Sequence, residues 1–205
     1  TEHATELRTM EGFGNKSVTK LLAAIEKEND TLLYVLGGFF GGDATKAPTM
    51  GEKVLAFSLK QQQWQEVGVQ ESPNKEIFSL TGATALAIDN RYIACFGGVN
   101  HRLFINTITD LYHLGKDTTL TDEQRKQKNY DYMSHYMTQP IEYYQFNKEC
   151  YLFDTHSQQW SVLDTQADFA RAGATLVGTP AEFYLVQGEL KPGVRSPKTY
   201  RLKIN

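Results

Sequence analysis

The run Gly188-Glu189-Leu190-Lys191-Pro192-Gly193-Val194-Arg195 gathers one carboxylate and two cations around a rigid turn. A carboxylate held in place can accept a proton and return it, which is the core of general acid–base catalysis. An arginine nearby can grip an anionic substrate, because its planar guanidinium matches a carboxylate with two parallel hydrogen bonds. Side chains of these types, so spaced, suit proton transfer on a small acid. The competing reading is a solvated hairpin carrying a surface ion pair, a feature of little energetic weight.

Something has to hold those charges. The segment Phe183-Tyr184-Leu185-Val186 is aromatic and β-branched, as expected of a half-buried strand, and Glu189 emerges just past its end. Pro192 fixes φ and Gly193 supplies backbone freedom, so Lys191 and Arg195 fall on either side of the bend. The same plan occurs twice upstream. Thr31-Leu32-Leu33-Tyr34-Val35-Leu36 runs into Gly37-Gly38, then Lys53-Val54-Leu55-Ala56-Phe57 and Gln63-Trp64. Tyr92-Ile93-Ala94-Cys95-Phe96 runs into Gly97-Gly98, then Cys150-Tyr151-Leu152-Phe153-Asp154 and Gln159-Trp160. An apolar strand precedes each unit: Leu21–Ile25, Gly82–Ile88 and Ala172–Val177.

Strand, strand, Gly-Gly, strand and tryptophan strand is the order of a kelch blade, about fifty residues long. The pattern predicts an all-β, kelch-type β-propeller, with about three four-stranded blades of an expected six over 14–70, 78–165 and 168–205. They form part of a single domain over 1–205, and the second blade carries a helical insertion at about 115–147. Each tryptophan is expected to pack on a neighbouring blade, since one blade cannot bury its faces alone. In the third unit Gly188-Glu189 stands where the others carry Gly-Gly. That alignment predicts a charged side chain in place of a glycine facing the central channel.

The chain resembles the bacterial N-acetylneuraminate mutarotases, also called sialic acid epimerases. The resemblance rests on Phe96-Gly97-Gly98-Val99-Asn100, Gly115-Lys116-Asp117 opening the insertion, Phe146-Asn147-Lys148-Glu149 closing it, and Gly188-Glu189-x-Lys191-Pro192-Gly193-x-Arg195. It implies a six-bladed propeller that interconverts the α and β anomers of free sialic acid without a cofactor. It further implies Glu189 as general base. Arg195 is the expected clamp on the substrate carboxylate, and Lys191 a second cation that contacts substrate or pairs with Glu189. Asn100 and His101 are expected around the same channel, with His101 the candidate proton donor because imidazole is the side chain best suited to acid–base work near neutrality. The matching region runs from about Gly14 to the end and corresponds to the second, third and fourth blades of the family. Three blades cannot close a ring, and open edges invite aggregation. The remaining blades are therefore expected from chain outside this sequence, either as a fragment or in a cyclically permuted branch where they precede Thr1 and the N-terminal segment supplies the missing outer strand. The resemblance implies the periplasm of a Gram-negative bacterium; Thr1–Phe13 shows no signal-peptide pattern.

Between Asn100 and Lys148 the middle of the insertion is helical by pattern. Thr121 and Gln124 form a capping box, Asp122 and Glu123 suit the positive end of a helix, and Pro140 breaks the chain before a short helix around Ile141–Phe146. Tyr130, Tyr132, Tyr136, Tyr143, Tyr144 and Phe146 are expected mainly to pack these helices as a flap over the channel mouth, one or two lining a pocket wall.

Composition narrows the alternatives. With 21 basic and 24 acidic residues the net charge is −3, which lacks the basic excess of a nucleic-acid binder. No apolar run approaches the roughly 20 residues that span a bilayer. Cys95 and Cys150 read as buried free thiols rather than a disulfide and do not complete a zinc set, and His3, His113, His135 and His156 show no metal-ligand spacing, so no metal site is expected. A non-catalytic kelch scaffold for protein binding needs no convergent charges like Glu189 and Arg195. A copper oxidase of the galactose-oxidase kind needs a tyrosine–histidine ligand set not found here. The Ser-x-Asp-x-Gly-x-Thr-Trp turns of sialidases are absent. A mutarotase-like protein for another acidic sugar is the nearest alternative.

Overall fold

The structure, a computed structural model, describes residues 21–27, 30–179 and 182–203. Its frame is three antiparallel sheets. The first orders as β1 (Leu21–Lys27), β2 (Asp30–Leu36), β5 (Lys53–Ser58) and β6 (Gln63–Val69), with β3 (Phe39–Phe40) and β4 (Thr49–Met50) forming a small hairpin between its second and third strands. The second orders as β7 (Thr84–Ile88), β8 (Tyr92–Phe96), β9 (Glu149–Asp154) and β10 (Gln159–Thr165). The third has β11 (Thr175–Thr179), β12 (Glu182–Val186) and β15 (Thr199–Leu202), plus a second small hairpin of β13 (Glu189–Lys191) and β14 (Val194–Arg195). The first strand of the middle sheet, β7, touches both β1 and β11, so the first strands of the three sheets meet at one hub. This is the expected all-β propeller arrangement. Among the described residues the third sheet shows three strands, and the outer strand expected from the N-terminal segment of a permuted ring lies outside them.

The middle sheet is buried on both faces, which explains why β8 reads as a continuous apolar run rather than an alternation. Cys95 faces a core with Tyr34, Leu36, Val54, Ile93, Phe153 and Trp160, while Phe96 faces a second core with Cys150, Phe169, Phe183 and Leu185. The two cysteines therefore point to opposite faces of one sheet and are free, as read from the sequence. Burial pushes both thiols up, Cys150 to about 12. Trp160 is the blade-to-blade rivet: its Nε1 donates to the Val69 carbonyl of the first sheet at 2.8 Å, and its ring lies within 5.0 Å of Phe78 and 4.8 Å of Phe153.

At the rim opposite the Gly-Gly turns, Arg91 holds Asp154 with two hydrogen bonds of 3.0 and 2.6 Å. Those bonds keep the Asp154 carboxyl well below the usual carboxylate range. Its stabilising effect is thus complete above the unfolded value near ~4 and lost as pH falls through the lower folded value. Asp154→Asn is expected to lower Tm by about 2–4 °C at pH 7, with the gap to wild type closing in acid. A calorimetric pH series checks this, and an undiminished gap at acid pH contradicts it.

The helical insertion starts earlier than the sequence reading placed it. Helix α1 spans His101–Lys116 and α2 spans Asp122–Thr138, followed by a 3-10 turn at Ile141–Tyr144. Gly115-Lys116-Asp117 closes the first helix instead of opening the insertion at about 115. The missed signal was Asn100, whose side chain accepts from the Leu103 amide and caps α1. The Thr121–Gln124 capping box on α2 is present as expected. The flap is moored at both sides. Phe104 of α1 meets Phe39 at 4.9 Å, Lys116 donates to the Ala44 carbonyl at 2.6 Å, and the end of α2 abuts the β13–β14 hairpin. Tyr136, Tyr143 and Tyr144 form an edge-to-face cluster within the flap, so these rings pack helices; Phe146 lines a cleft described below.

Candidate functional site

The two small hairpins and the α1 cap all leave the same ends of their sheets. Gly38 and Gly98 adopt φ of +101° and Gly188 +96°, and the Gly51, Asn147 and Ser196 amides donate back to their respective carbonyls at 2.9, 2.9 and 2.8 Å. These bonds fix the register between the sheets: Gly38, Gly98 and Gly188 are equivalent. The Gly-Gly pair of the first two sheets therefore corresponds to Gln187-Gly188, not to Gly188-Glu189. Gln187 takes the first position with φ +55°, and Glu189 occupies the position of Phe39 and Val99. The expected replacement of a channel glycine by Glu189 is thus corrected by one residue. The misreading arose because the positive φ that usually demands glycine is borne here by a glutamine.

Glu189 is fixed by its backbone. Its amide donates to the Ala172 carbonyl at 2.7 Å and its carbonyl accepts from the Ala172 amide at 2.9 Å. Across β13–β14 it pairs in register with Arg195, whose guanidinium lies 3.5 Å from the Glu189 carboxylate. The glutamate side chain is 33% exposed and the arginine side chain 66%, so both can reach a ligand from solvent. The pair is loose enough for an incoming carboxylate to compete for the guanidinium.

The remaining expected site residues divide. Lys191 pairs neither with Glu189 nor with open solvent: its ammonium binds the Gln139 and Met137 carbonyls at 2.7 and 3.3 Å. These carbonyls terminate α2, where the helix dipole favours a cation. Lys191 thus ties the flap to the hairpin carrying Glu189 and Arg195. Asn100 is engaged by its capping bond. His101 opens α1, and its Nε2 lies 2.9 Å from a Glu52 carboxylate oxygen. Glu52, just past β4, was missed by sequence reasoning; nothing local connects residues 49 apart in the chain. Next to the hairpin lies a cleft of about 580 Å³, walled by Phe78, Asn100, Phe146, Asn147, Tyr151 and Leu190. The residue following Glu189 and the cap of α1 therefore face one cavity under the flap.

Among the described residues no group of three or more His, Cys, Asp or Glu side chains is placed to hold a metal ion, and no helix is long and apolar enough to cross a membrane. What the arrangement offers is a carboxylate for proton transfer and an exposed guanidinium for an anion, a few ångströms apart.

Known proteins share this framework. A chain described as "Structure of YjhT" superposes with a TM-score of 0.71 at 26% identity, covering 89% of this chain and 47% of that one. N-acetylneuraminate epimerase of Escherichia coli O157:H7 is 29% identical over 173 residues, 84% of this chain and 43% of the relative. The Shigella sonnei protein of the same name is 35% identical over 106 residues, 52% of this chain and 27% of the relative. The chain thus spans less than half the length of the relatives it matches. The family described as N-acetylneuraminate epimerase matches over residues 8–205, almost the whole sequence. With its hub of antiparallel sheets and its Glu189–Arg195 hairpin, this chain belongs to the N-acetylneuraminate epimerase family.

Proposed function

We propose that the protein is a mutarotase that interconverts the α and β anomers of N-acetylneuraminate. The observation that carries the reading is Glu189 and Arg195 facing each other at 3.5 Å on a solvent-accessible hairpin at the end of the third sheet. Family membership and the names of the relatives support an isomerase of this kind.

The chemistry needs no cofactor. Arg195 binds the sugar carboxylate, bringing the adjacent anomeric carbon to Glu189. The Glu189 carboxylate takes the proton of the anomeric hydroxyl as the bond between anomeric carbon and ring oxygen breaks, and the ring oxygen takes up a proton from water or an acidic side chain. The open-chain ketone rotates about the bond to its neighbouring carbon. Reclosure returns the proton from Glu189 to the new anomeric hydroxyl while the ring oxygen loses its own. His101, held by Glu52, is the donor we assign to the ring oxygen. The rest of a single six-bladed ring, contributed by chain outside this sequence, would complete the channel wall, and the periplasm is the compartment in which we place it.

Freshly dissolved α-N-acetylneuraminate followed by proton NMR tests the reading: the anomers should equilibrate faster with the protein than in buffer alone, and equal rates refute it. Arg195→Ala is expected to raise KM about 10–100-fold with little change in kcat, since it removes charge-assisted hydrogen bonds made equally to substrate and transition state. An unchanged KM would show that the guanidinium does not hold the substrate carboxylate.

A further inference from the structure

Arg171 is the largest fully buried side chain among the described residues, 1% exposed, and its partners are unusual. Nε donates to the Asp168 carbonyl at 2.8 Å and Nη1 to the Gln187 carbonyl at 2.7 Å, while the guanidinium lies 4.8 Å from the centroid of the Tyr200 ring. Among the described residues no carboxylate forms an ion pair with it. Its Cδ lies 3.1 Å from where a Cβ on Gly188 would stand, so the side chain runs directly beneath the Gln187-Gly188 turn.

The middle sheet shows what the scaffold alone requires at this place. Its Val99 amide donates to the Thr81 carbonyl, just as the Glu189 amide donates to Ala172, so Thr81 matches Ala172 and Leu80 matches Arg171. Leu80 is completely buried in the apolar core shared by the first two sheets, and its carbonyl lies under Gly37 as the Arg171 carbonyl lies under Gly97. The propeller core is therefore satisfied by leucine. A buried cation costs desolvation, a cost that the leucine of the middle sheet does not carry. The arginine is found where the following residue clamps both backbone groups of Glu189, and where a glutamine has taken the first turn glycine.

We propose that Arg171 is a positioning residue for Glu189: by holding the Gln187 carbonyl it locks the turn from which the carboxylate projects. The proposal rests on the reading of Glu189 as the base, and it makes Arg171 act through the backbone rather than on the sugar.

The test is Arg171→Leu, the residue the middle sheet uses, with Arg171→Lys as the conservative variant, both in the full-length protein. Arg171→Leu should leave Tm unchanged or raised, lower kcat about 10–100-fold with KM little changed, and speed hydrogen exchange at the Glu189 amide. Arg171→Lys should recover part of kcat. In the Glu189→Gln background Arg171→Leu should cost nothing further. Wild-type kcat in Arg171→Leu, or a loss of kcat accompanied by a matching loss of Tm, overturns the proposal. Should Glu189→Gln itself keep full activity, the base assignment fails, and the exchange measurement then decides about Arg171 alone: unaltered protection of the Glu189 amide overturns its positioning role, and faster exchange at unchanged Tm upholds it.

Discussion

Glu189→Gln should lower kcat by about 10²–10⁴-fold, the usual contribution of a positioned general base, while leaving the fold intact. Glutamine keeps the size and hydrogen-bonding reach of the side chain but cannot take the anomeric proton. Nothing structural depends on the charge. Glu189 is anchored through its main chain to Ala172, and the only ion pair it forms among the described residues is the 3.5 Å contact with a largely exposed Arg195, of a kind that adds little to stability. The variant should therefore melt with wild type and still bind the sugar acid through Arg195. Anomer exchange spectroscopy alongside a thermal melt checks both halves. A Gln variant as fast as wild type would move the chemistry to another group, with the His101–Glu52 pair next to be tested.

Gly97→Ala should destabilise the protein by about 2–5 kcal/mol, combining the strain of a left-handed backbone with overpacking. Gly97 has φ +73°, and a Cβ there would stand 2.2 Å from the Arg171 carbonyl oxygen and 3.1 Å from that of Phe169. Both obstacles are backbone, so no side chain can swing aside. The neighbouring Gly98 amide donates to the same Arg171 carbonyl at 2.8 Å, and this bond stitches the second sheet to the third. Forcing the two apart would loosen the segment that runs from Arg171 through Ala172 to Glu189, so the loss of stability should come with a loss of activity. Denaturant unfolding measures the first. Gly115→Ala is the control: it has nothing within 4 Å of the added methyl and sits in the last turn of α1, so it should be neutral or mildly stabilising. A Gly97 variant as stable as wild type would mean that the sheets are not held at the distance seen here.

Much of this was legible before any coordinates. The four-strand plan of the first two sheets, the capping box of α2 and the hairpin at Pro192-Gly193 follow from local chemistry, since each is decided by residues close in sequence. The inter-sheet tryptophan was legible for the same reason a blade is: a large amphipathic ring on an outer strand needs a neighbour, and Trp160 finds Val69. The start of α1 was missed although Asn100 was already under consideration, because a cap and a ligand-binding amide look alike until the following amide is seen to use it.

That an acid and a guanidinium sit together follows from primary structure, because Glu189 and Arg195 are joined by one short turn whose register the turn residues dictate. Tertiary structure alone decided the rest of the site: that Lys191 is spent on the end of a helix 52 residues away, that His101 meets Glu52, and that Arg171 grips the turn before Glu189. Those pairings depend on how one sheet is rotated against the next and where the insertion lies across them. That geometry is set by the packing of two buried sheet faces and leaves no periodic mark in the chain.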